Sequence, residues 1–278
     1  IMSKIGITFS VYNRLEFTIQ CIKSIVENDC KHELLIVVVN NGSTDNTYEV
    51  IKKEFPDVVI INNKENMGCA ISWNQGLSYC YDQKCDFLVL TQNDIIISKG
   101  VLNNSVDFLL NSDENVKIVS PVAINVPFMS NKIIEQNKLN EISEITKEKY
   151  KGSRHCNFII YFGMMFPEVF EKCKFDEKYR KALYEDSDFY RNLAINRIPH
   201  ATSIDIGLMF HRYNTTQIIA NNSSIVENRV YFDKKWEDSI DKVNEGSSFL
   251  SGSVTTNITY PHDNFLFLNV EESGLHQW

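Results

Sequence analysis

Several short stretches carry residue types able to do chemistry, and each follows an apolar run. LVLTQNDIII (Leu88–Ile97) passes through Gln92, Asn93 and a single carboxylate, Asp94, before turning apolar again. VVVNNGSTDNT sets Asn40, Gly42 and Asp45 behind a run of valines, and VYNR sets Tyr12 and Arg14 behind another. YEDSDF gathers Glu185, Asp186 and Asp188, and His211 follows the apolar run Ile204–Phe210. Locally each has a plain reading. Asn and Asp make turns because their side chains bond nearby backbone groups, and carboxylates at a helix start favour its macrodipole. A carboxylate within reach of a hydroxyl can also take its proton as that oxygen attacks. An amide such as Asn40 can donate and accept at once.

The elements that must position these residues are legible in the apolar periodicity. IGITFSV (Ile5–Val11) and LLIVVV (Leu34–Val39) read as buried strands, and Leu15, Ile19, Ile22 and Val26 between them recur at helical spacing. This is a βαβ unit of a parallel sheet. The alternation continues with a helix from Asp45 to Phe55, a strand Val58–Ile61, a helix to Tyr81, a strand Asp86–Leu90, a helix Val101–Leu110 and a strand Val116–Ser120. An α/β domain follows. Residues 129–155 are polar and read as a surface excursion, a lid or acceptor loop, with a solvated helix as the alternative. FIIYFGMMF (Phe158–Phe166) returns to the core, followed by a helix Glu185–Asn196, a strand Ala201–Met209 and a helix Ser224–Trp236. The Ser/Thr-rich segment after Asp241 reads as a short β appendage.

In an open parallel sheet, ligands bind beyond the carboxyl ends of the strands, which is where the polar stretches fall. In their order, VYNR, VVVNNGSTDNT, NKENMGCAISWNQGL (residues 63–77) and TQND resemble the N-terminal half of the family 2 type glycosyltransferases, including the rhamnosyltransferase-like enzymes of bacterial glycan biosynthesis. Tyr184–Phe189 resembles their acidic ED motif, and His211-Arg212-Tyr213 followed by NRVYFDKKW (residues 228–236) resembles their C-terminal region. The resemblance implies the GT-A fold: a nucleotide-binding αβα sandwich with a mostly parallel sheet, over residues 4–240. Residues 4–120 would form the nucleotide-sugar half and 121–240 the acceptor half, with 241–278 an extension.

The resemblance further implies an inverting transfer from a UDP-, dTDP- or GDP-linked sugar to a hydroxyl of a glycan, lipid-linked or protein-linked acceptor. Asp186 is implied as general base with Glu185 supporting it, Asp188 being structural. Asp94 and His211 are implied as ligands of Mn²⁺ or Mg²⁺, the ion offsetting charge on the departing diphosphate. Tyr12, Arg14, Asn40, Gly42, Asp45, Asn66, Gly68, Asn74, Gln92, Asn93 and Gly163 are implied around the donor. Family members usually carry aspartate where Asn40 stands, and QND replaces a fuller acidic triplet. Both departures motivate an alternative, a catalytically inactive sugar-nucleotide or glycan-binding module of the same fold.

Composition narrows the partners. Of 278 residues, 43% are hydrophobic, enough for a sizeable core. Asp plus Glu exceed Lys plus Arg by 36 to 28, a net charge of −8, which argues against nucleic acid. No apolar stretch long enough to span a bilayer and no secretion signal is evident, so a cytoplasmic location is expected, compatible with peripheral membrane association. The seven cysteines include no CxxC pair and read as reduced and structural.

Overall fold

The computed structural model describes residues 2–112, 115–124, 135–155, 161–211 and 222–253. Strand β1 (Lys4–Val11), helix α1 (Leu15–Val26), β2 (Glu33–Asn41), α2 (Thr47–Glu54), β3 (Val59–Asn63), α3 (Cys69–Asp82) and β4 (Phe87–Thr91) follow the expected alternation. Next come β5 (Ile95–Ile97), α4 (Val101–Asn111), β6 (Ile118–Ser120), β7 (Val122–Ile124), α5 (Gln136–Lys149), β8 (Arg154–His155) and β9 (Phe162–Met165). The chain continues through α6 (Pro167–Lys172), α7 (Glu185–Ile195), β10 (His200–Ser203), β11 (Leu208–His211), α8 (Asn222–Trp236) and α9 (Ile240–Ser253).

The main sheet has eight strands in the order β3-β2-β1-β4-β9-β6-β10-β8. β9 runs antiparallel between β4 and β6, and β8 antiparallel to β10, while the remaining pairs are parallel. Alternation along the strands splits the core. Ile5, Ile7, Phe9, Phe87 and Val89 face Ile22, Ile25 and Leu102 of α1 and α4, whereas Leu88 and Leu90 face Trp73, Leu77 and Phe189 of α3 and α7. On that second face β1 presents Gly6 and Thr8, and α3 presses close: a Cβ on Gly76 would stand 1.8 Å from Thr8 Oγ1.

A second sheet, β5-β11-β7, is built from three- and four-residue strands. Its outer side carries Ile96, Val122, Ile124, Leu208 and Phe210 against Leu139, Ile142 and Tyr150 of the α5 region. The described part of the polar stretch 129–155 is therefore an amphipathic helix, nearer to the alternative reading than to a loop. It buries Leu139, Ile142, Ser143 and Thr146.

Two expectations are corrected. Ala201–Met209 is two strands of different sheets, because a 3-10 turn (Ile204–Ile206) and Gly207 at φ 125° break the run. The β appendage expected after Asp241 is instead helix α9 as far as Ser253, since Val243 and Leu250 bury themselves with Ala194, Phe232 and Trp236. The rest of that segment, and Arg212-Tyr213, lie outside the described residues.

Candidate active site

The loops beyond β1, β2 and β3 are tied to one another by side-chain amides. Asn13 adopts φ 58°; its N–H donates to Ser43 Oγ at 2.9 Å and its Oδ1 accepts from the N–H groups of Thr44 and Asp45. Both β2 and β3 end in Asn-Asn, and the parallel register sets Asn40 beside Asn62 and Asn41 beside Asn63. Asn40 Nδ2 donates to Asn62 Oδ1 at 2.7 Å, and Asn40 Oδ1 accepts the Ser43 N–H. Asn41 bonds Asn66, Gly68 O and the Met67 N–H, and Asn63 reaches Gln75. Gly42, at φ 77°, lies so close to the next loop that a Cβ would stand 2.5 Å from the Glu65 carbonyl carbon.

Of the residues expected around the donor, Tyr12, Asn40, Gly42, Asn66 and Gly68 belong to this cluster of loops. Arg14 begins α1 in the left-handed region, exposed, with its guanidinium 5.8 Å from the Phe17 ring centre. Asp45 is committed locally: its Oδ1 accepts from both the N–H and the hydroxyl of Thr47 in an Asx turn ahead of α2, whose N-cap position is Asn46 and not the expected Asp45. Asn74 points elsewhere. Its amide spans Phe175 N–H, Phe175 O and Glu177 Oε1, pinning the 175–177 segment to α3, so its polar atoms are occupied away from the donor loops.

β4 ends beside β9, with Leu90 opposite Gly163 and Thr91 opposite Phe162. The Thr91 hydroxyl and Gln92 N–H both donate to Tyr161 O, and Asn93 Nδ2 donates to Thr18 Oγ1 on α1. These bonds turn the chain into β5, where His211 of β11 pairs with Ile95. Asp94 and His211, 117 positions apart, thereby meet: Nε2 lies 3.5 Å from Asp94 Oδ1, with both residues buried. The imidazole stacks on the Tyr161 ring, 3.8 Å between centres at 11°. A separation of 3.5 Å is one that two donors, each about 2.1 Å from a shared ion, can span. Among the described residues no group of three or more His, Cys, Asp or Glu side chains gathers for a metal. The pair fits an ion that takes its remaining ligands from phosphate and water, with a carboxylate and an imidazole suited to Mn²⁺.

The third element is the start of α7. Lys181, Leu183 and Tyr184 all have positive φ, and they deliver Glu185 and Asp186 to the first turn. Lys181 O accepts the N–H of Cys69, the first residue of α3, so the two helix starts adjoin. Glu185 is 5% exposed, and among the described residues its Oε2 has no hydrogen-bond partner. Burial, then the neighbouring Asp186, push its carboxyl up to about 8. Asp186 is half-buried and accepts from the Ser187 N–H at 2.7 Å. The Cys69 thiol is held well above its usual range by burial and by the same two acids. Asp188 is fully buried and accepts from Tyr179 Oη, Trp236 Nε1, Lys235 Nζ and Asn192 Nδ2, the structural role expected of it.

The sequence singles out Asn13 and Asn62-Asn63 as polar strand-end residues without giving them a role, and it leaves the Tyr161 stack on His211 unforeseen. The doubled Asn-Asn at two strand ends was the available signal for the amides.

The pattern of the family described as "Glycosyl transferase family 2" matches residues 7–174, more than half of the chain. The minor teichoic acid biosynthesis protein GgaB of Bacillus subtilis (strain 168) is 27% identical over 184 residues, covering 62% of this chain and 20% of that protein. An uncharacterized glycosyltransferase of Rickettsia conorii is 27% identical over 174 residues, 62% of this chain and 24% of that protein. The chain thus spans about a quarter or less of the length of these relatives. Among solved structures, S. aureus TarS 1-349 in complex with UDP superposes with a TM-score of 0.62 at 15% identity, covering 98% of this chain and 77% of that one. The mannosyltransferase PcManGT from Pyrobaculum calidifontis, in complex with GDP-Man and Mn²⁺, superposes with a TM-score of 0.56 at 16% identity, covering 92% and 77%. The α/β sandwich with its mostly parallel sheet is the GT-A fold. With the pattern matched along β1 to α6 and the strand ends assembled as described, the chain belongs to glycosyl transferase family 2.

Proposed function

We propose that the chain is an inverting glycosyltransferase that moves a sugar from a nucleoside diphosphate sugar to an acceptor hydroxyl, with metal assistance. The observation that carries the reading is the Asp94–His211 pair, assembled beyond the end of β4 from distant parts of the chain. The solved relatives hold UDP in one case and GDP-Man with Mn²⁺ in the other, which supports the same ligand class here. A divalent ion held by the pair would offset charge on the departing diphosphate. Tyr12, Arg14, Asn40, Gly42, Asn66 and Gly68 would seat the nucleotide, and Gln92, Asn93 and Gly163 would border the sugar.

Asp186 is the proposed general base. It is more exposed than Glu185 and can take a proton from an acceptor oxygen as that oxygen attacks the anomeric carbon. Glu185, neutral at pH 7 with its carboxyl near 8, adds no second negative charge there and would hold the acceptor by donating a hydrogen bond. Direct displacement inverts the anomeric centre, and no second carboxylate is assigned as a nucleophile. The relative named for minor teichoic acid biosynthesis favours a teichoic-acid-like glycan as the acceptor, with lipid- or protein-linked glycans as the other candidates.

The test is nucleoside diphosphate release from a panel of UDP-, dTDP- and GDP-linked hexoses and deoxyhexoses with Mn²⁺, by the wild type and Asp186→Asn. Loss of about 100-fold or more in kcat, with donor binding retained, is expected of a general base. Unchanged turnover would remove Asp186 from that role. Mn²⁺-dependent donor binding without transfer to any acceptor would favour the inactive module instead.

A further inference from the structure

The stretch NRVYFDKKW opens with a residue that the site described above does not use. Asn228 lies on α8, 2% exposed, and its side chain is bonded entirely to the backbone that leads into α7. Oδ1 accepts the Arg180 N–H at 2.9 Å, while Nδ2 faces Arg180 O at 2.9 Å, Leu183 O at 3.0 Å and Ala182 O at 3.2 Å. An amide nitrogen has two hydrogens, so at least one is shared between carbonyls.

The backbone it holds is unusual. Lys181, Leu183 and Tyr184 stand at φ 59°, 79° and 75°, a conformation side chains other than glycine adopt at a cost. Such residues persist only where the surroundings over-determine them. One end of the segment caps α3 through the Cys69 N–H to Lys181 O bond at 2.7 Å and fills the space over Gly68, where a Cβ would meet Lys181 N at 2.9 Å. At its other end is Tyr184, the residue before Glu185 and Asp186.

We propose that Asn228 is a positioning residue that holds residues 180–184 in their left-handed course and thereby fixes where Glu185 and Asp186 stand relative to the start of α3. This rests on the reading of Asp186 as base, but its test has an arm independent of activity. Other contacts from α8 brace the helix body through Asp188, Trp236, Lys235 and Arg191, and Phe232 packs its ring 5.4 Å from that of Tyr184; the hydrogen bonds to the backbone of the entry described above come from Asn228.

Asn228→Ala removes all four bonds; Asn228→Asp keeps an acceptor for the Arg180 N–H but turns a carboxylate toward the three carbonyls. Amide hydrogen exchange in both variants is expected to quicken at residues 180–188 and 68–72, while β1, β2 and β4 keep wild-type protection. In the transfer assay kcat should fall about tenfold or more, with donor KM and Mn²⁺ dependence within about twofold of wild type. Trp236→Phe, which removes the indole donor to Asp188, serves as the control for destabilisation alone. Unchanged exchange at 180–188, exchange raised evenly over the chain, or a kcat loss no larger than in a control of equal melting temperature would each overturn the proposal. If the wild type transfers no sugar, the enzymatic reading fails, and localised or unlocalised exchange decides the positioning claim on its own.

Discussion

Glu185 is a carboxyl group whose surroundings oppose its ionisation: it is buried, Asp186 is the next residue, and its pKa lies near 8 rather than in the usual carboxylate range. The folded state therefore binds this proton more tightly than the unfolded chain does. Stability from this group is fully present below about pH 4.5 and drains away as pH rises toward 8, on the order of 5 kcal/mol by pH 9. Glu185→Gln keeps the shape and removes the titration. Its melting temperature should exceed the wild type's at pH 9, with the difference shrinking to near zero by pH 5; parallel pH profiles for the two proteins would contradict the raised pKa. Residue identity alone made the acids of YEDSDF visible as acids. It left unread which would be buried, since that depends on how the start of α7 packs beside the start of α3. Asn74 teaches the converse: an amide in a motif-like stretch turned out to be a pin for residues 175–177, because its helix position faces that segment.

Between elements, α3 makes a close approach to β1 at the main sheet's second face. Small residues make it: Gly6 and Thr8 on the strand, Gly76 on the helix. A methyl group at Gly76 would collide with the fully buried Thr8 side chain, 1.8 Å from its Oγ1. Gly76→Ala should lose about 2–3 kcal/mol in urea unfolding, with an unchanged m-value, although alanine is the better helix former. A neutral or stabilising result would mean that α3 can lift off the strand without loss. LLIVVV declared its strand because a strand buried on both faces is apolar along its length, and IGITFSV did so by its β-branched residues, with the small Gly6 and Thr8 on the face that α3 covers. The second sheet escaped notice because its strands are III, VAI and LMFH, too short for any period to show. The run containing β10 and β11 hid its break behind a single glycine. α9 is helical against a Ser- and Gly-rich local composition, since burial of Val243 and Leu250 outweighs a weak propensity.

At the scale of the whole molecule, the proposed metal site joins the two sheets. Asp94 follows the last residues of β4 in the large sheet, and His211 ends the central strand of the small one. The sequence placed both residues at strand ends, but only the antiparallel register of β11 on β5 brings them to 3.5 Å, a contact no local pattern encodes. If they hold one ion, their losses cannot add. Asp94→Ala and His211→Ala should each weaken Mn²⁺-dependent binding of UDP or GDP by about tenfold or more, roughly 1.4 kcal/mol. The double variant should be little worse than either single one, because the first truncation already disables the shared ion. Full additivity would mean that the two side chains act at separate places, and a wild-type response to Mn²⁺ in both single variants would remove the ion from this corner. Calorimetric titration of the nucleotide with and without Mn²⁺, on all four proteins of the cycle, separates these outcomes. The chain's net charge of −8 sharpens the contrast: with the ion removed by chelator, a multiply charged nucleoside diphosphate must approach an already negative protein, so binding should fall toward the level of the double variant.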